Sequence, residues 1–94
     1  MNKNYKYGII LPLKESYLQK SSGAVSIFVN EYLKNSKLFD NTIIFTNKLK
    51  GKYLSKNVCE VIGNNTFFSN LNYIKKICKT KSFVNLEHIE IHNR

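Results

Sequence analysis

The sequence predicts an α/β domain: a Rossmann-like parallel sheet flanked by helices. Three observations predict it. Short, nearly uniform apolar runs recur along the chain, as in strands buried on both faces. An amphipathic helical stripe follows the first run. The elements alternate in the order β-α-β-β-α-β, and right-handed crossovers then favour the spatial order 3-2-1-4, half of a doubly wound sheet.

Tyr7 to Leu11 (YGIIL), closed by Pro12, reads as the first strand. The stretch LKESYLQKSS, residues 13–22, is polar and irregular. Ser22 is a plausible N-cap for GAVSIFVNEYLKNSK, in which Val25, Phe28, Val29, Tyr32 and Leu33 share one stripe while Ser26, Asn30, Glu31 and Lys34 occupy other faces. Asn35-Ser36 and Asp40-Asn41 break this helix. Thr42 to Thr46 (TIIFT) is β-branched and aromatic, a second strand. Asn47 to Asn57 carries four lysines and Gly51 and reads as a solvated loop. Val58 to Ile62 (VCEVI) is a third strand. A second helix runs from about Ser69 to Ser82, with Leu71, Ile74, Ile77 and Cys78 on one side. Glu87 to His92 alternates as a fourth strand, with Glu90 expected to be buried. The connection between the second and third strands is near the minimum for a parallel crossover, so a hairpin remains open.

Ninety-four residues suffice for one small domain, and 43% hydrophobic content excludes disorder by composition. No apolar run is long enough to span a membrane, and the basic start lacks a secretory core. Cys59 and Cys78 show no metal-ligand spacing and read as reduced core thiols. The net charge of +9 suggests a polyanion partner, yet fourteen of the fifteen basic residues are Lys. Arginine, favoured for bidentate phosphate and base contacts, is nearly absent, so no nucleic-acid partner is expected. Codon composition accounts for the Lys, Asn and Ile as well as a polyanion does. The lysine loop could instead dock on anionic lipid headgroups.

Two stretches could carry chemistry. The helix start SSGAVS puts Gly23 where a ligand could approach free amides and the helix dipole, although a small residue in a capped helix looks the same. If the fourth strand lies beside the first, the loop ending at Ser22-Gly23 and the tail His92-Asn93-Arg94 flank one crevice at the topological switch point. His88, Glu90 and His92 share a face, but the two histidines are ~13 Å apart along a strand, too far to share an ion. His92, at the strand end, is a candidate proton acceptor or a structural histidine.

Taken together, GIILPLKESYLQKSSGAVSIFVNEYL, then TIIFT, then HIEIHNR resemble the opening of a family 4 glycosyltransferase. The likeness covers nearly the whole chain, but only the first part of such an enzyme. It implies that residues 1–94 are an incomplete N-terminal, acceptor-side half-domain of a GT-B fold, with the C-terminal donor domain absent and this chain alone inactive. By that resemblance the enzyme is a retaining hexosyltransferase that needs no cofactor or metal. It would move a sugar from a nucleotide-sugar to a cell-envelope polysaccharide or glycolipid. The setting would be cytoplasmic, peripheral at the inner face of an anionic membrane. Gly23 and Ala24 would lie near the donor diphosphate, His92 would be catalytic, and Asn93 and Arg94 would line the acceptor side of the cleft. Glu87-His88 departs from the family pattern, which has Asp followed by an apolar residue. The competing reading is a small basic α/β module that binds RNA or another polyanion, distinguished by a steep fall of affinity with salt. On either reading the last strand is an apolar sheet edge, which invites association.

Overall fold

The computed structural model describes residues 5–62 and 69–92. Four strands, β1 (Tyr7–Ile10), β2 (Thr42–Asn47), β3 (Val58–Val61) and β4 (His88–Ile91), form one sheet in the order β3-β2-β1-β4. All three pairings are parallel, including β2 with β3, so the short connection is a crossover and not a hairpin. Helix α1 (Ala24–Lys34) links β1 to β2, with a 3-10 turn over Phe39–Asn41 before β2. Helices α2 (Ser69–Cys78) and α3 (Lys81–Val84) link β3 to β4. This is a Rossmann-like α/β arrangement.

Alternation along the central strands splits the core into two layers. Ile9, Leu11 and Ile44 pack with Val29 and Leu33 of α1 on one face. Ile10, Ile43, Phe45 and Val61 pack with Tyr73 and Ile77 of α2 on the other. Thr42 to Thr46 is buried throughout, as a central strand covered on both sides must be.

Several expectations are corrected. The buried face of α1 is Ser26, Val29, Asn30 and Leu33, whereas Phe28 and Tyr32 are 63% and 56% exposed. The helix is anchored through Ser26, which turns the aromatic edge of the stripe outward. The second helix is broken: Thr80 is extended (φ −74°, ψ 151°) and its hydroxyl donates to the Ile77 carbonyl at 2.7 Å, closing α2 before α3 begins. Cys78 is exposed and Cys59 half-buried; both are free thiols, so the pair is not a core pair. Glu90 is exposed instead of buried, because β4 is the sheet edge and its four residues all face solvent.

The two segments expected to be irregular and solvated hold each other. Leu18 and Tyr53 form an antiparallel bridge, Gln19 donates its amide to Lys52 at 2.9 Å, and Leu54 donates to Tyr17 at 3.1 Å. Leu13, Glu15, Tyr17 and Leu18 are buried beneath this clasp. Tyr17 donates or accepts through its hydroxyl at 2.8 Å from Ser55 Oγ, and burial raises its pKa. Gly51, at φ +129°, makes the turn that brings Lys52 and Tyr53 back.

Candidate functional site

The carboxyl edge of the sheet is built by the segment leaving β1. Leu11 continues the ladder, donating to the Phe45 carbonyl at 3.0 Å, and Glu15 donates its amide to Pro12 at 3.0 Å to close a turn. The loop then closes on itself where Gly23 donates to the Ser16 carbonyl at 2.9 Å. Ser22 does not cap the helix; its hydroxyl donates to the Leu18 carbonyl, and Gly23 is the N-cap residue.

Gly23 has no side chain with which to cap, and the first turn contains no acid. Glu15 does the work from outside the helix. Its Oε2 accepts from the Ser26 amide at 2.9 Å and from Ser26 Oγ at 2.7 Å. Ser26 is the third helical residue, whose amide an N-cap side chain ordinarily satisfies. A carboxylate here also faces the positive end of the helix dipole. Glu15 is 1% exposed, so its hydrogen bonds offset a substantial desolvation cost. The glycine follows from this contact: a Cβ on Gly23 would stand 2.0 Å from Glu15 Oε2.

Gly23 and Ala24 therefore sit at a helix start, one of whose amides already donates to the protein's own carboxyl group. Nothing in the sequence alone sets Glu15 apart as a helix cap. The available signal was a lone acid in a lysine-rich loop ahead of a helix whose first turn is acid-free.

His92 follows β4 and keeps the ladder, donating its amide to Ile10 at 3.0 Å. Its Nε2 lies 3.1 Å from Glu90 Oε1, with the imidazole 19% exposed and the Glu90 side chain 57% exposed. A hydrogen on Nε2 held by Glu90 leaves Nδ1 as the free acceptor. His92 and Glu90 line a shallow pocket of about 140 Å³ with Ile9, Phe28, Val29 and Tyr32. Gly23 and Ala24 are not part of that lining. His88 is exposed and stacks on the Tyr7 ring, centroids 5.4 Å apart and planes 10° from parallel, so its departure from an apolar residue costs no core packing. Asn93 and Arg94 lie outside the described residues. Among the described residues no group of three or more His, Cys, Asp or Glu is placed to hold a metal ion, and no helix is long and apolar enough to cross a membrane.

Sequence reasoning missed a second cavity at the opposite, amino edge. About 450 Å³ in volume, it lies among residues that precede the strands, including Tyr5, Phe39, Asp40 and Leu54, and near Lys34 and Lys56. Asn57 anchors its floor: Nδ2 donates to the Phe39 carbonyl at 3.0 Å and to the Thr42 carbonyl. Asn57 and Asn30 are both buried, both line the cavity, and their Oδ1 atoms have no partner among the described residues. Two such acceptors make the cavity polar enough to order water.

No family model, curated protein or solved structure matches the chain.

Proposed function

We propose that residues 1–94 are the acceptor-side, N-terminal part of a retaining glycosyltransferase that takes its sugar from a nucleotide-sugar and delivers it to an envelope polysaccharide or glycolipid. The observation that carries the reading is His92, at the carboxyl end of a strand beside β1, with Glu90 on its Nε2. This is the position at which open α/β sheets take ligands. In the proposed reaction Nδ1 of His92 accepts a hydrogen bond from the acceptor hydroxyl and fixes it, while Glu90 holds the ring orientation. Asn93 and Arg94, outside the described residues, keep the acceptor-side role that the resemblance implies. Gly23 and Ala24 keep their assignment near the donor diphosphate.

The experiment is radiolabelled sugar transfer with a panel of nucleotide sugars. Positioning both reactants requires a donor domain, so the 94-residue chain transfers nothing and a chain continued through such a domain does. In the longer chain His92→Ala lowers turnover by about 10²-fold or more. Transfer by the 94-residue chain overturns the reading of a partial enzyme. An unaffected His92→Ala returns that histidine to a structural role.

A further inference from the structure

The outer strand β4 reads the same in both directions: His88-Ile89-Glu90-Ile91-His92 is a palindrome centred on Glu90. Its backbone has a definite outward face. The Lys6 carbonyl accepts from the Glu87 amide just before the strand at 2.7 Å and from the His88 amide at 3.2 Å, and His92 donates to Ile10 at 3.0 Å, so from His88 onward the amides of even-numbered residues point inward to β1. The amides and carbonyls of Ile89 and Ile91 point to the open edge, by the alternation of a strand. The two residues are 43% and 55% exposed, and their register with Gly8 and Ile10 puts their side chains on the α2 face of the sheet.

We propose that β4 is a self-recognition edge, on which a second copy of this chain pairs antiparallel about a two-fold axis through Glu90. The register follows from the backbone. An antiparallel partner must set outward-facing residues opposite outward-facing residues, and centring on Glu90 sets Ile89 opposite Ile91 of the second copy, twice. Both pairs exchange amide and carbonyl bonds, and the four isoleucines cover one another on a single face.

On the other face each His88 meets the second copy's His92. The two Glu90 side chains meet at the axis, where like charges oppose pairing. Each Glu90 already has His92 at 3.1 Å, and His88 of the second copy arrives beside it, so imidazoles flank both carboxylates. A two-fold axis perpendicular to the sheet also brings both α1 helices to the same side. There Phe28 and Tyr32, stacked at 6.4 Å and exposed, share the Glu90–His92 pocket and face the corresponding pair. The contact is isologous and closes at two copies, joining two four-stranded sheets into one. It does not rest on the proposed sugar transfer: it is a property of the 94-residue chain, in which β4 is the outer strand of the described sheet, and a strand supplied by a continued chain would take the same edge.

Sedimentation equilibrium of the 94-residue chain tests it, from about 5 to about 300 μM, a range suited to a small interface. The mass is expected to rise from 11.0 kDa to twice that and stop there. Ile91→Pro removes an outward amide that no bond among the described residues uses and should weaken the dimer at least tenfold. Glu90→Gln removes the like-charge contact and should tighten it. Register is read separately by cross-linking after Cys59→Ser and Cys78→Ser. Glu90→Cys sits opposite itself, with Cα atoms about 4.5 Å apart, and should oxidise readily to a covalent dimer. His88→Cys, whose mate is His92, should not. A monomer at the highest concentration, growth past two copies, Ile91→Pro pairing as tightly as the unmodified chain, or cross-linking at 88 as fast as at 90 overturns the proposal. Should Ile91→Pro fail to fold, the cross-linking comparison still decides.

Discussion

At the residue scale the tightest constraint is the contact of Glu15 with Gly23 and Ser26. Gly23 has an ordinary extended conformation (φ −76°, ψ 164°), so backbone strain does not explain the glycine; the space does. Gly23→Ala should cost about 2–4 kcal/mol, since either the carboxylate or the helix start must move. Glu15→Ala should cost a similar amount by leaving a buried amide and hydroxyl without their acceptor. The two losses should not add. With Glu15 shortened to Ala, the methyl group at position 23 has room, and the second substitution should cost less than about 1 kcal/mol. Urea denaturation of the two single variants and the double variant measures the coupling; additive losses would mean that Gly23 is constrained by something else. The sequence marks Gly23 as special, yet it is silent about why. A glycine that admits a ligand and one that admits a neighbouring carboxylate look alike until the loop is closed.

At the scale of elements, periodicity made β1, β2, β3, α1 and the sheet order legible, because buried strands and amphipathic helices write their geometry directly into spacing. It misjudged which edge of the α1 stripe is buried. Ser26 and Asn30 are small or polar, so they read as surface; they are buried because tertiary partners, Glu15 among them, hold that face down. The clasp between residues 13–22 and 48–57 was illegible for a different reason. Its buried residues, Leu13, Tyr17 and Leu18, follow no helix or strand period, and lysines surround the second segment. Tyr17→Ala should therefore cost about 3–5 kcal/mol, the range for a buried aromatic, although it lies in no regular element. Phe28→Ser, on the helix, should change stability by less than about 0.5 kcal/mol. In hydrogen exchange the amides of Gln19 and Leu54 should be protected nearly as well as those of β2. Fast exchange at both would show that the clasp opens independently of the sheet.

Across the whole molecule, buried and half-buried phenols tie one element to another. Tyr73, 2% exposed on α2, donates to the Leu11 carbonyl at 2.9 Å and reaches the Phe45 carbonyl at 3.3 Å, pinning the helix to the ends of β1 and β2. Tyr53 donates to Glu60 Oε2 at 2.7 Å, joining the clasp to β3. Burial raises the pKa of Tyr17, Tyr53 and Tyr73 above 10.0; at Tyr53 the hydrogen bond to Glu60 adds to the rise. The sign of the linkage follows. Below pH 10 each phenol is protonated in both folded and unfolded chains, and the stability it contributes is fully present. Above pH 10 the unfolded chain releases protons that the folded chain retains, so stability falls as pH climbs. The net charge of +9 works in the other direction: approaching the isoelectric point near 9.7 relieves self-repulsion. Stability should thus rise gently from pH 7 to about pH 9 and fall from about pH 10 upward. Tyr73→Phe separates the two effects. It should cost about 1 kcal/mol at pH 7 through the lost hydrogen bonds, leave the rise below pH 9 intact, and flatten the alkaline fall. Denaturant midpoints of both proteins between pH 7 and 11 give the comparison, with the lysines common to each. Parallel profiles would mean that Tyr73 ionises as freely in the folded protein as in the unfolded chain, and that its burial does not hold against alkali.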